Sequence, residues 1–293
     1  MVELKSVIES TAVKLLKLAV TRLPRDISDA LRQAYEHEES ELAKSQLSSM
    51  MRNLELAEET RRPICQDTGL VSFFVDAGDR FPNLAKIPKY LTEAVRKATD
   101  KIPLRPNAVN PISGVNSGDN TGSFVPTIEW DIFDGDHVDL TALTKGGGSE
   151  TVSALAMLRP ADGIQKMRGF VIDSIIGAGA QPCPPTIVGV GIAGEGATAM
   201  KLAKRAVTLR EVGERSSEAD VAKLEEELMS AANQTGIGPM GLGGRTTVLG
   251  IHIEYAHRHP ATYAVGVVFL CYLARKASAR IYPNGEVELL TKF

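Results

Sequence analysis

The chain has 293 residues, 43% of them hydrophobic and 24% charged, with a formal net charge of −3. Such a length can bury a large core, and the composition is that of an ordinary globular protein. The slight negative charge argues against nucleic acid or an anionic membrane as the main partner. The longest apolar candidate, Ala264 to Ala274, is about half of what a membrane span needs. The opening Met1-Val2-Glu3-Leu4-Lys5 carries charge where a signal peptide needs an apolar core. The expected location is therefore the cytoplasm, where unpaired thiols stay reduced.

Residues 3 to 61 read as helices, with Val7, Ile8, Val13, Leu15, Leu16 and Leu18 recurring every three to four positions. Pro24 and Asp26 to Ser28 break that pattern and offer cap chemistry for the next helix. Leu70 to Ala77 reads as a strand and 85 to 101 as a helix. From Pro103 to Pro126 the chain is polar and rich in Gly, Asn and Pro; an aperiodic stretch of that length is usually functional or disordered. Thr127 to Phe133 and His137 to Thr144 alternate as strands, and Asp134-Gly135 between them predicts a hairpin. A helix is expected over Gly163 to Ala178, a strand over Thr186 to Gly191 and a helix over Ala197 to Val207. Ser217 to Gln234 reads as an amphipathic helix with a charged face at Glu225, Glu226 and Glu227. Strands follow over Thr246 to Tyr255, Val267 to Leu273, Ala279 to Tyr282 and Glu286 to Leu290, the last two joined by an Asn284-Gly285 hairpin. Helices and strands are mixed rather than strictly alternating, which predicts an α+β fold: a helical N-terminal region, 1–61, leading into mixed and antiparallel sheets with flanking helices, all in one domain.

Three cysteines, Cys65, Cys183 and Cys271, are the whole sulfur-ligand inventory. The number is odd for disulfides and one short of a closed four-thiolate site. Cys271 ends the apolar run Val267-Val268-Phe269-Leu270, where a free cysteine is as readily a small buried hydrophobe. Cys65 and Cys183 lie among Gly, Pro, Gln and Asp, residues that build turns rather than cores. Their wide separation carries no ligand-spacing signal of the C-x-x-C kind. Asp67, after Gln66, could serve as an acid–base group or simply cap a turn before Gly69. Arg105 stands between Pro103 and Pro106, a stiff presentation suited to gripping a carboxylate at two points. Gly146-Gly147-Gly148 after Lys145 offers consecutive N–H groups to an anion, or a flexible connection. Gly189-Val190-Gly191-Ile192-Ala193-Gly194 fits G-x-G-x-x-G between a strand and a helix, with Glu211 downstream. No second βαβ half follows, so a nicotinamide oxidoreductase is the lesser reading. His252, Glu254, His257 and His259 could form a zinc or iron set, but no outlying ligand completes it.

Several of these motifs occur together. They are Pro63-Ile64-Cys65-Gln66-Asp67-Thr68-Gly69, Asn116 to Gly122, Lys145 to Glu150, Cys183-Pro184-Pro185, Gly236-Ile237-Gly238-Pro239, and His252-Ile253-Glu254 with Arg258-His259-Pro260 and Cys271. The combination resembles the class I, iron–sulfur-dependent fumarate hydratases over about residues 60 to 282. The length resembles the separate α subunit of their two-subunit form. The L(+)-tartrate dehydratase α subunit shares most of these landmarks. The unbroken Lys145 to Glu150 stretch and Glu254 to Pro260 look more like the fumarase branch.

The resemblance implies that Cys65, Cys183 and Cys271 hold a [4Fe–4S] cluster with one open iron. It implies that Gln66, Arg105 and Gly148 contact substrate, and that Asp67 and His259 act in catalysis. The resembling enzymes hydrate fumarate to (S)-malate; tartrate dehydration is the alternative. Further catalytic groups, the carbon base among them, come from a C-terminal domain that here would be a separate β subunit, in an α₂β₂ assembly. A non-catalytic scaffold with inert cysteines is the contrasting expectation.

Overall fold

The computed structural model describes residues 3–293. Its helices are α1 (Leu4–Thr21), α2 (Arg25–His37), α3 (Glu41–Thr60), α4 (Ile87–Lys101), the short α5 (Gly147–Glu150), α6 (Gly163–Ala178), α7 (Gly196–Leu209) and α8 (Ala219–Gln234). Its strands are β1 (Leu70–Gly78), β2 (Thr127–Phe133), β3 (Val138–Lys145), β4 (Ala154–Leu158), β5 (Thr186–Ala193), β6 (Val248–Tyr255), β7 (Tyr263–Leu270), β8 (Lys276–Ile281) and β9 (Val287–Leu289). The architecture is α+β, as expected, in two compact units. One takes residues up to 25, 53–147 and 275–293; the other takes 26–52 and 148–274. Among the described residues no helix is long and apolar enough to cross a membrane.

The first unit is built on a five-stranded sheet in the order β2-β1-β3-β8-β9. Every second residue of its central strands points to one core: Val71, Phe73, Val75 and Ala77; Val138, Leu140 and Ala142; Ala277, Ala279 and Ile281. Helices α1 and α4 supply the other side of that core through Leu15, Leu16, Leu91 and Val95. The buried positions of α4, at 87, 91, 94, 95 and 98, follow the helical period. Each fully buried Leu stabilises the unit by about 1.5–3 kcal/mol relative to exposure.

The hairpin expected at Asp134-Gly135 does not form. The dipeptide turns the chain, but β2 and β3 are not neighbours. β1 lies between them, parallel to β2 with Ser72 opposite Thr127, and antiparallel to β3 with Val71 opposite Thr144. The loop closes over the end of β1 instead: Asp79 N–H donates to Phe133 O at 2.9 Å and Arg80 N–H to Gly135 O at 3.0 Å. β1 buries Phe73 and Phe74 on opposite faces, so an interior slot suits it and the more exposed β2 takes the edge. The Asn284-Gly285 hairpin does form, joining antiparallel β8 and β9, with Gly285 at φ +89°.

The second unit has a four-stranded sheet in the order β4-β7-β5-β6. Edge strand β4 was not foreseen from sequence; exposed Leu155 and Met157 alternate along it. One face presents Val188, Val190, Ile251, Ile253, Val265 and Val267 to Met167 and Val171 of α6 and Leu224 and Leu228 of α8. The other face is a seat of small residues. A Cβ on Gly189 would collide with the Ala203 carbonyl of α7, and one on Gly191 with that of Ala199. Gly266 on β7 faces the same helix. The G-x-G pattern thus answers to close helix–strand approach. Glu225 is not on a solvated face either. It is fully buried and accepts hydrogen bonds from Arg210 Nη1 at 2.5 Å, Ile253 N–H at 2.8 Å and Ser216 N–H at 3.0 Å. Gly191→Ala should lower stability by about 1–3 kcal/mol or more, seen as a lower urea midpoint at unchanged slope.

Candidate active site

In the first unit the Cys65 loop is tied at its base. Ile64 N–H donates to Val20 O at 2.9 Å, and Asn53 Nδ2 donates to Ile64 O at 2.9 Å. Cys65 is half-buried, its thiol 3.7 Å from Gln66 Oε1, and Gln66 is exposed. The Asp67 carboxylate accepts three hydrogen bonds. Oδ1 takes Gly69 N–H at 2.9 Å and Asn107 Nδ2 at 3.2 Å; Oδ2 takes Gly147 N–H at 2.9 Å. The turn cap before Gly69 is therefore real, and so is a longer reach. Gly69 sits at φ +84°, and a Cβ there would stand 2.8 Å from the Lys145 backbone, so only glycine lets these segments meet.

The polar stretch 103–126 is ordered by its own side chains. Thr68 Oγ1 accepts Arg105 N–H at 2.9 Å. Asn120, buried and left-handed at φ +59°, accepts Asn107 N–H at 2.6 Å and donates to Arg105 O at 3.2 Å and Thr99 Oγ1 at 3.1 Å. Arg105 thus has a fixed backbone and an exposed guanidinium. Sequence reasoning missed Thr68, Asn107 and Asn120. The one available signal was the density of Asn in an aperiodic loop, since Asn tolerates αL and bonds backbone at short range.

In the second unit a Cβ on Gly148 would stand 2.7 Å from Gln181 O, so glycine is required where the chain passes that turn. Cys183 follows at φ +54°, its N–H donating to Ala180 O at 3.0 Å. Cys271 comes directly after β7, and Tyr272 N–H reaches Cys183 O at 3.4 Å. Those two cysteines therefore lie side by side. None of the three is in a disulfide, and all are half-buried.

His259 is elsewhere on the same sheet. It lies in the loop between β6 and β7, against Gly194 at the far end of β5. In the β5–β7 register, Ile187 pairs with Leu270 beside the cysteines and Ala193 with Ala264 at the other end. His259 is near Cys271 in sequence, but β7 carries the two about 20 Å apart. Its Nδ1 accepts Ala261 N–H at 3.0 Å, which leaves the ring proton on Nε2. Arg258 fixes this loop through the carbonyls of His259, Pro260 and Thr262, at 3.2, 3.3 and 3.2 Å, and lies 5.0 Å over the Tyr263 ring. A cleft of about 720 Å³ flanks the loop on the His257 side. His252 is buried within β6 while His257 and His259 are exposed. Among the described residues no three His, Cys, Asp or Glu side chains gather to hold a single metal ion, so the zinc set does not assemble.

The Asp119 carboxyl is pulled two ways. Burial alone would raise its pKa. Hydrogen bonds from the Thr121 hydroxyl at 2.7 Å, the Thr121 N–H at 2.9 Å, Arg96 at 3.2 Å and Ser117 together hold it below the ordinary 3.8. A carboxyl depressed in the folded state stabilises above its ordinary pKa, and that stability is lost as pH falls through the folded value. Asp119→Asn should lower the melting temperature at neutral pH and flatten its decline below about pH 4, measured by thermal melts across pH.

A family profile described as fumarate hydratase (Fumerase) matches residues 9–280. A protein of Methanocaldococcus jannaschii, named "Putative L(+)-tartrate dehydratase subunit alpha", is 42% identical over 278 residues, covering 94% of this chain and 97% of that protein. The L(+)-tartrate dehydratase subunit alpha of Escherichia coli K12 is 40% identical over 272 residues, covering 92% of this chain and 89% of its own length.

Proposed function

The chain belongs to the fumarate hydratase family, a family of hydro-lyases, and on that premise we propose that it is the α subunit of an enzyme that reversibly hydrates fumarate to (S)-malate, completed by a separate β subunit. The observation that carries this is the Asp67 carboxylate, oriented by three N–H donors beside Gln66 and the backbone-fixed Arg105. Such an arrangement suits a small dicarboxylate. Arg105 grips one substrate carboxylate with its planar fork. The Gly148 N–H and Gln66 meet polar atoms of the same molecule.

Cys65, Cys183 and Cys271 are the residues that would hold a [4Fe–4S] cluster. They are half-buried and outside any disulfide, and soft thiolate donors suit iron–sulfur clusters. When bound, the cluster supplies a Lewis-acidic iron that makes hydroxide a better leaving group.

Neither acid–base residue of this chain is an open base. Asp67 has both oxygens engaged, and His259 turns a protonated Nε2 outward. Proton exchange at carbon therefore falls to the β subunit, and His259 serves as donor to the hydroxyl. Because His259 stands at the opposite end of its sheet from Cys183 and Cys271, it serves the site of a second α copy in the α₂β₂ assembly, paired there with that copy's Asp67. The names of the relatives favour a second reading, dehydration of L(+)-tartrate.

Anaerobic assay of the α and β chains together should give malate from fumarate; oxaloacetate from tartrate, without malate, would select the second reading. Protein that stays colourless after reconstitution with iron and sulfide, and inert with its partner, would leave the scaffold. Asp67→Ala and His259→Ala should each keep the visible absorption of the cluster and lose about 10²–10⁴-fold in kcat. Mixing the two inactive α variants should restore part of the turnover, because one site in a mixed assembly is then intact.

A further inference from the structure

Arg275 opens β8's approach just before Lys276, and no motif pointed to it. It is 2% exposed. Its Nε donates to Thr144 O at 3.2 Å and to Thr144 Oγ1 at 3.3 Å, and Thr144 N–H donates back to Arg275 O at 3.0 Å. This two-way clamp fixes the end of β3 three residues before Gly147, whose N–H holds Asp67 Oδ2. Its Nη2 and Asp67 Oδ2 flank the same edge of Gly146: a Cβ there would stand 3.2 Å from the one and 2.9 Å from the other. Gly146 thus lets a guanidinium and a carboxylate approach one stretch of backbone. The Nη1 is buried without a hydrogen-bond partner. A sheet needing only a filler at this position would be better served by an apolar side chain, since an unmet buried donor is costly.

We propose that Arg275 is a positioning residue for Asp67: it holds Thr144 to Gly147 so that the Gly147 N–H meets the carboxylate, and its charge faces that carboxylate across Gly146. The role rests on the functional reading above, but the link from Arg275 to Gly147 can be measured without turnover.

The test is amide hydrogen exchange on the full α chain with its β partner, alongside steady-state kinetics. In Arg275→Met the Gly147 amide should exchange about tenfold faster or more, since its acceptor is no longer held. The Gly69 amide, bonded to Asp67 within one local turn, should be unchanged. kcat should fall about tenfold or more while KM stays within about twofold, because the loss is in orientation rather than in substrate binding. Arg275→Lys keeps the charge but not the fork, and should show the same pattern at smaller amplitude. Unchanged Gly147 exchange in a folded Arg275→Met overturns the proposal. So does loss of protection along all of β3 and β8, or failure of both variants to fold, because Arg275 would then be a support of the sheet alone. If the exchange result holds and fumarate is not turned over even by the unmodified protein, the functional reading fails and the positioning link stands.

Discussion

Three hydrogen bonds to one carboxylate tie together three loops of the first unit. Asp67 accepts from Gly69, Asn107 and Gly147, residues from three separate stretches of chain. Hydrogen bonds to an ionised acceptor are shorter and stronger than neutral ones. The network is only partly buried, with Asp67 and Asn107 half-buried and Gly147 exposed, and its strength lies in both carboxylate oxygens being engaged. The glycines follow from this need. Gly69 must let its loop lie on the Lys145 backbone, and Gly146 must leave room for Asp67 and Arg275. The Asn-rich loop follows too, because Asn120 fixes both Asn107 and Arg105. One carboxylate is thereby linked, through Asn107 and Asn120, to the backbone of Arg105.

The second unit solves a different problem. Its glycines serve packing of α7 on β5 and β7, which lets a thin layer of small residues carry a helix on one face and a valine-rich core on the other. The rigid sheet then presents loops at both ends, and loops on a rigid scaffold are where binding and catalytic groups concentrate. One end carries Cys183 and Cys271; the other carries His259. A single sheet thus separates these two sets of side chains by the length of its strands.

Much of the fold was legible. The helical lead-in, the strand at 70–77 and the helix at 163–178 all announce themselves by local periodicity and punctuation, and the structure has them within a residue or two. The errors share one cause. Asp134-Gly135 is a sound turn signal, yet β1 enters between β2 and β3, because pairing is decided by which strand can bury both faces. Glu225 sits in a run of three glutamates that reads as a charged face, yet Arg210 and two backbone N–H groups satisfy it inside the unit. A pattern rule cannot see a partner that arrives from a distant segment.

The sequence by itself determined the chemical inventory: three cysteines, the Gln66-Asp67 pair, a proline-flanked arginine, a run of glycines and a late histidine. It also set the element types, because propensity, capping and turn chemistry act over a few residues. Only the tertiary structure decided which of these groups meet. It placed Cys183 beside Cys271, set His259 a strand's length away, and buried Arg275 against Thr144 near Asp67. Those outcomes depend on strand order, sheet ends and buried hydrogen-bond satisfaction, which arise between segments far apart in the chain and have no local signature.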